Sequence, residues 1–219
     1  MRPAAWHVPF LNNLEPKLTT VAIQGFGNAG MHLATFLHRE GFRVVAVSDS
    51  SGGLYRAAGL DIPALVAHKA HGALADAKTD ATRITNEELL VLPVDILAPA
   101  ALENQVTEQN AAKVQARFIV ELANGPTTPA ADEILFRRGV TVVPDVLANA
   151  GGVTVSYFEW LQNRQGVQWT KDEVEERLQQ VILPAFRDVH RLAADRKVSM
   201  RDAAFLLAVQ RIADAMRAG

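Results

Sequence analysis

The first two thirds of the chain repeat one hydrophobic pattern, in which a short apolar run is followed by apolar positions at helical spacing. The apolar runs are rich in β-branched residues, which is typical of strands buried on both faces. They lie at Val21–Ile23, Arg43–Asp49, Val94–Pro99, Phe118–Leu122 and Val140–Val143. Strands that alternate with helices predict an α/β fold with a doubly wound, mainly parallel sheet.

The segments between these strands carry helix and turn signals. Asp61 is placed to cap a helix that runs to about His71, and Thr128 is placed to cap another that has Pro129 at its first position. The remaining predictions are a loop at Ser50–Gly53, surface structure over residues 72–83, a helical turn at Asn86–Leu90 and a helix from Thr107 to about Val114.

The pattern becomes wholly helical after Pro144. We predict one helix over Ala150–Gln162 and a long one that opens at a Thr170–Glu173 capping box, which Pro184 should interrupt and bend. A last helix opens near Ser199, and one side of it carries the apolar residues Ala203, Leu206, Leu207 and Ile212. We interpret these apolar stripes as core-facing, so that the helices cover the sheet.

The domain boundaries follow from these patterns. Residues 19–219 are predicted to form one domain, in which residues from about 150 to 219 are a helical extension. Residues 1–18 lack a regular pattern and are predicted to form an irregular arm.

Glycines dominate the turn that follows the first strand. The run is Gly25-Phe26-Gly27-Asn28-Ala29-Gly30, and it leads directly into a helix. In a dinucleotide-binding turn the first glycine allows the tight bend, the second lets the backbone approach a pyrophosphate, and the third lets helix and strand pack closely. The context predicts a Rossmann-type fold, so that residues 19–219 form one dinucleotide-binding domain with C-terminal helices. The alternative is a flavodoxin-like turn that binds another ligand or none.

An acid closes the second strand. Asp49 lies about 20 residues beyond the last glycine, where a carboxylate can accept hydrogen bonds from an adenosine ribose. It would repel the 2′-phosphate of NADP, and Ser50 beside it carries no positive charge, so we predict NAD as the preferred cofactor with NADP possible. Against this, hydroxyl groups can bind a phosphate, and His68 or Lys69 could fold over the site.

Composition excludes several classes of function. The 219 residues carry a net charge of −2, which gives no electrostatic case for binding nucleic acid or an anionic membrane. The absence of cysteine excludes disulfides and thiol chemistry, and it fits a cytoplasmic protein. No apolar run approaches transmembrane length, and the first residues do not resemble a signal peptide. No metal site is predicted.

Four segments together carry a family resemblance. They are the glycine turn Gln24–Gly30 and the segments Pro99–Asn104, Ala123–Pro129 and Pro144–Trp160. They resemble the cofactor-binding, C-terminal domain of the glutamate, leucine, phenylalanine and valine dehydrogenases, and the last segment is most similar to the glutamate dehydrogenases. The resemblance implies an NAD(P)-dependent oxidoreductase that converts an amino acid, here L-glutamate, to a 2-oxo acid and ammonia.

The resemblance also implies roles for individual residues. The glycine turn would hold the pyrophosphate, and Ala100 and Ala101 would line the adenosine side through their backbone. Asn124 and Asn149 would lie near the nicotinamide ribose and carboxamide. Val153 would contact the amino-acid side chain, and the Ser156 hydroxyl would donate to its distal carboxylate.

The residues taken alone leave other roles open. Asn149 could cap a helix, Asn124 could be a turn residue, and Ser156 could be a solvated or back-bonded helix serine. Three acids near the predicted site have no basic partner in view, and we interpret them as loop or structural residues. They are Glu103, Glu121 and Asp145.

One part of the resembling family has no counterpart here. Its chemistry needs a lysine in a glycine-rich segment and an aspartate, both on a separate substrate domain, and none of the six lysines lies in such a segment. We therefore predict no catalytic residue and expect the cofactor half of a dehydrogenase, which pairs with a substrate domain, a second copy or a full-length homologue. The alternative is a solitary nucleotide-binding or regulatory module.

Overall fold

The structure is a computed structural model that describes residues 14–218. Residues Leu14–Val143 form one compact unit, and the described residues from Pro144 on belong to a second. The predicted irregular arm lies mostly outside the described residues. That the helices after Pro144 cover the sheet stays a prediction.

The first unit is built on a sheet of seven strands. The strands are β1 (Thr20–Gln24), β2 (Arg43–Asp49), β3 (Gly52–Tyr55), β4 (Thr82–Ile84), β5 (Ile96–Pro99), β6 (Phe118–Val120) and β7 (Thr141–Val143), in the order β4-β3-β2-β1-β5-β6-β7. The five strands β2, β1, β5, β6 and β7 are parallel, whereas β3 and β4 are antiparallel to their neighbours. The predicted α/β class and mainly parallel sheet are thus confirmed.

Buried side chains explain why β1 lies at the centre of the sheet. Residues Val21–Gln24 are all buried, and so are Val44–Ser48 of β2, because these strands have other structure on both faces. The main cluster of buried apolar side chains includes Ala22 and Leu97 from this part of the sheet. Burying these side chains stabilises the sheet, at about 25 cal/mol per Å² of apolar surface removed from water.

Four helices accompany the sheet. They are α1 (Asn28–Arg39), α2 (Ile62–Lys69), α3 (Asn86–Leu90) and α4 (Pro129–Arg137). Two of the predicted caps are present, since Asp61 Oδ1 accepts from the Ala64 amide at 3.0 Å and Thr128 Oγ1 accepts from the Ala131 amide at 3.2 Å. Short 3₁₀ turns lie at Leu74–Asp76 and Ala111–Lys113.

Two predictions for this unit were wrong. The predicted loop Ser50–Gly53 is a tight hairpin, in which Gly52 begins β3 and pairs with Asp49. The predicted helix from Thr107 is only a turn followed by the 3₁₀ turn Ala111–Lys113. Here the Asn110 side chain accepts from the Thr107 amide at 2.8 Å and donates to the Gln105 carbonyl at 2.8 Å, so it bonds the backbone in a non-helical form.

The second unit is helical. Its helices are α5 (Asp145–Ala148), α6 (Ala150–Gln165), α7 (Lys171–Arg196) and α8 (Met200–Ala218). The capping box at Thr170 and Glu173 is present. Helix α7 continues through Pro184, so the predicted interruption was wrong, while the bend stays a prediction.

Helix α8 differs most from its prediction. Ala203 is buried as expected, but Leu206 is 50% exposed and Ile212 is 62% exposed, so its apolar side does not face the core of this unit. No helix among residues 14–218 is long and apolar enough to span a membrane.

Candidate functional site

The three central strands reach the same level of the sheet at their carboxyl ends. Gln24 of β1 pairs with Ser48 of β2 on one side and with Pro99 of β5 on the other. The chain connects β1 to β2 in one direction, and β5 lies on the opposite side of β1. In open α/β sheets ligands bind at such a reversal of strand order, beyond the carboxyl ends. Gly25 follows β1, Ala100 follows β5, and Asp49 is the last residue of β2, and all three are predicted site residues.

The glycine turn is tightly packed at two of its glycines. A Cβ on Gly30 would lie 1.8 Å from the Gly25 carbonyl oxygen, so any side chain there collides with backbone. Gly25 has φ of +98°, and a Cβ on it would lie 2.7 Å from the Ala100 carbonyl carbon and the Ala101 amide nitrogen. The turn therefore rests directly on the segment that follows β5.

The middle of the turn is open. A Cβ on Gly27 would meet no atom within 4 Å, and Gly27, Asn28 and Ala29 are exposed. No side chain caps the start of α1, so the amides of its first turn are directed at this open space. Such a helix start favours an anion. Phe26 is fully buried, and its side chain belongs to the core, so only its backbone faces the turn.

Asp49 is held by donors from its own chain. Lys69 Nζ contacts one carboxylate oxygen, Oδ2, which also accepts from the Leu74 amide at 3.1 Å. The other oxygen, Oδ1, accepts from the Ser51 amide at 2.8 Å and from the Ser51 hydroxyl. The Asp49 side chain is only 8% exposed, both of its oxygens accept hydrogen bonds, and the positive charge of Lys69 offsets its negative charge. Ser50 beside it is exposed.

These contacts set the charge state of Asp49. Burial favours the neutral carboxyl group, but the hydrogen bonds from Lys69, Ser51 and the Leu74 amide outweigh it and hold the pKa of Asp49 far below its usual range. Asp49 is therefore ionised at neutral pH, and Lys69 offsets its charge.

Asn124 follows β6 by a few residues. It is exposed and precedes Gly125, which has φ of +56° and so forms the turn that the sequence indicated. Since β6 is next to β5, this loop lies on the side of the glycine turn away from Asp49.

The other predicted residues lie in the second unit. Asn149 is at the N-cap position of α6, but its side chain does not cap the helix. Val153 is 70% exposed, Ser156 is exposed, and residues three apart share a helix face. No hydrogen bond of the Ser156 hydroxyl is found among the residues that the structure describes, so back-bonding to the helix is not seen.

The three acids differ in their surroundings. Asp145 pairs with Arg201 at 3.2 Å, as expected of a structural residue. Glu121 is fully buried, and Glu103 is exposed.

The comparisons with known proteins identify the family. The profile of the glutamate/leucine/phenylalanine/valine dehydrogenases matches residues 10–219, and the chain belongs to this family of amino-acid dehydrogenases. The resemblance to this family is thereby confirmed, while the assignment to its cofactor-binding, C-terminal domain stays a prediction.

The relatives are glutamate dehydrogenases. The chain is 50% identical over 212 residues to the NADP-specific glutamate dehydrogenase of Synechocystis. This match covers 93% of the chain and 50% of that protein. It is 48% identical over 205 residues to the cryptic catabolic NAD-specific glutamate dehydrogenase GudB of Bacillus subtilis, with coverage of 93% and 48%. One of these relatives is NADP-specific and the other NAD-specific, which agrees with the prediction of NAD with NADP possible.

A solved structure agrees as well. The hetero-hexameric glutamate dehydrogenase of Thermus thermophilus, in its leucine-bound form, matches with a TM-score of 0.86 and 34% identity. The match covers 96% of this chain and 50% of that one. The chain thus spans about half the length of the relatives it matches.

Proposed function

We propose that this chain is the nicotinamide-dinucleotide-binding half, the C-terminal domain, of a glutamate dehydrogenase. The full enzyme would oxidise L-glutamate to 2-oxoglutarate and ammonia. The observation that carries the proposal is the glycine turn, which is packed against Ala100 and Ala101 but open at Gly27, where the strand order reverses. The family of the chain supports it.

The strand order suggests how the cofactor lies. Four features follow one another along the sheet: Asp49 at the end of β2, the glycine turn after β1, Ala100 after β5 and the Asn124 loop after β6. Adjacent strands are about 4.8 Å apart, so this row extends over about 14 Å. A pyrophosphate at the glycine turn would direct the adenosine ribose toward Asp49 and Ser50. Ala100 and Ala101, which the resemblance placed on the adenosine side, would then lie beside the phosphates. The nicotinamide would extend toward Asn124.

The same proposal assigns the substrate side. Asn149 would meet the nicotinamide end, and Val153 and Ser156 would meet the side chain and distal carboxylate of glutamate. The exposure of Val153 and Ser156 on one face of α6 supports this role. The groups that move protons would come from a substrate half. Assembly into a homo-oligomer is part of the proposal, while the cytoplasmic location stays a prediction.

Cofactor choice follows from Asp49 and Lys69. A free carboxylate would repel the 2′-phosphate of NADP, but Asp49 is paired with Lys69. We therefore propose that the chain binds both cofactors, with a weaker preference for NAD than the sequence alone suggested.

Calorimetry with NAD on the parent chain and on Gly27→Val tests the binding site. The parent should bind NAD, and the variant should bind it much more weakly, since a side chain at Gly27 would occupy the space for the pyrophosphate. Thermal unfolding establishes that the variant is folded, and Ala130→Val on an exposed part of α4 is the matched control. Equal affinity of parent and Gly27→Val would refute the assignment.

A further inference from the structure

The segment Asn104–Val106, here called the bridging segment, joins two loops of the candidate site. Its backbone amides donate to the loop after β6, from Asn104 to Gly125 at 2.9 Å and from Gln105 and Val106 to Pro126 at 2.8 and 2.9 Å. Val106 also accepts from the Thr128 amide at 2.9 Å. The bridging segment therefore moves with the loop that carries Asn124.

A pair of side-chain amides ties the bridging segment to the glycine turn. Gln24 Nε2 donates to Gln105 Oε1 at 2.8 Å, and Gln105 Nε2 donates to the Glu103 carbonyl at 3.0 Å. Gln24 is the last residue of β1 and directly precedes Gly25. Its own carbonyl accepts from the Ala100 amide at 2.7 Å. One residue thus connects the glycine turn, the segment after β5 and the bridging segment.

Gln24 is buried and Gln105 is half-buried, which makes the geometry of the pair demanding on the Gln24 side. Gln24 is only 1% exposed, and its Oε1 has no hydrogen-bond partner among the described residues. The bond to Gln105 is then the one hydrogen bond that its side chain makes within the described part of the chain. A buried amide left without a partner is costly, so the pair strongly favours a single position of the bridging segment.

We propose that Gln24 and Gln105 are a positioning pair, which fixes the Asn124 loop relative to the glycine turn and thereby orders the nicotinamide end of the bound cofactor. The inference rests on the proposed function. Because the pair acts through the bridging segment, it should affect how the nicotinamide end of the cofactor binds. Binding of the adenosine end should not change, since that end lies on the Asp49 side of β1.

The test compares two ligands on the parent chain and on Gln105→Leu. Calorimetry measures the dissociation constant of ADP, which lacks the nicotinamide end. Fluorescence of NADH reports the surroundings of the reduced nicotinamide. We expect ADP to bind both proteins within twofold, while NADH binds the variant about tenfold more weakly and loses its change in emission.

Two further variants separate positioning from loss of stability. Gln24→Leu/Gln105→Leu removes both amides and should unfold near the parent temperature, because replacing both partners of a hydrogen bond by apolar groups leaves none unsatisfied. It should still bind NADH weakly. Gln109→Leu, an exposed glutamine of the same loop, is the matched control and should resemble the parent.

The outcomes are distinct. If Gln105→Leu and the double variant Gln24→Leu/Gln105→Leu bind NADH as the parent does, the pair does not position the nicotinamide. The inference is then wrong, while the proposed function stands. If ADP and NADH weaken equally, the role is structural, and the inference is also wrong. A parent that binds ADP without changing NADH emission overturns it too. A parent that binds neither ligand refutes the proposed function itself.

Discussion

The three glycines of the turn differ in what surrounds them. Gly25 has a positive φ and contacts the backbone after β5, Gly30 contacts the backbone of Gly25, and Gly27 faces open space. Steric packing thus accounts for Gly25 and Gly30 without any ligand. Gly27 is the glycine that the fold alone does not require, which makes it the most informative position for function.

A pair of alanine substitutions separates packing from binding. Gly30→Ala should lower the free energy of unfolding by about 1–3 kcal/mol, because its Cβ would overlap the Gly25 carbonyl and the helix must shift. Gly27→Ala should cost less, since its Cβ meets nothing. Urea unfolding of both variants measures the difference. Equal stability of the two would contradict the close contact of helix and turn.

Lys69 should determine how strongly Asp49 discriminates between cofactors. Lys69→Met removes the charge that offsets Asp49, so the 2′-phosphate would meet an uncompensated carboxylate. The dissociation constant of NADP should rise relative to that of NAD by roughly tenfold, measured at neutral pH. The exposed Lys78→Met is the control. An unchanged ratio would show that Lys69 does not take part in discrimination.

The sequence predicted single residues well where the constraint is local. The glycine spacing and the acid after the second strand follow from the turn and the strand themselves. Lys69 was one of two side chains that the sequence placed near this site, whereas the Leu74 amide reaches Asp49 only after the β2–β3 hairpin has reversed the chain. The feature of the sequence that could have indicated the hairpin is the pair Ser50-Ser51 followed by Gly52. Gly52 has φ of +125° and pairs with Asp49 across the turn.

At the scale of elements, one carboxylate joins the starts of β1 and β5. Asp95 Oδ2 accepts from the amide and the hydroxyl of Thr20, both at 2.9 Å, and the Asp95 amide donates to the Thr20 hydroxyl at 2.9 Å. Burial opposes ionisation, but the bonds from Thr20 and the nearby Arg117 outweigh it and lower the pKa of Asp95.

This lowered pKa has a defined consequence for acid stability. The unfolded chain takes up the proton first as pH falls, so the stabilisation from Asp95 is present above about pH 4 and is lost on acidification. Asp95→Asn should lower the free energy of unfolding at pH 7 by about 1–3 kcal/mol and flatten its fall between pH 5 and pH 3. Unfolding series over this range measure it, with the more exposed Asp188→Asn as control. Parallel pH profiles of parent and Asp95→Asn would contradict the prediction.

Strands were predicted more reliably than the connections between them. The period and composition of buried strands identify them in the sequence, and β2 has the predicted bounds. The Thr107 segment was misassigned because the side chain of Asn110 competes with helical hydrogen bonds, which helical spacing does not reveal. The side of α8 that is buried depends on its packing against α7, and spacing alone does not select it.

At the scale of the whole molecule, the chain spans about half of its relatives. We expect the purified chain to bind a nicotinamide dinucleotide but to give no steady-state reduction of NAD or NADP with saturating glutamate. The reason is that general acid–base groups for the reaction would come from the substrate half. A full-length glutamate dehydrogenase in the same assay is the positive control. Turnover that is abolished by Gly27→Val would show that this chain carries its own catalytic groups.

The central place of β1 also affects how the chain emerges during synthesis. Asp95, the hydrogen-bond partner of Thr20, is synthesised 75 residues after it, whereas the neighbouring strand β2 follows β1 after a single helix. At about 5–20 residues per second, the apolar edge of β1 that β5 will cover stays unpaired for about 4–15 s. We therefore expect pairing of this edge with another nascent chain to compete with formation of the sheet during translation.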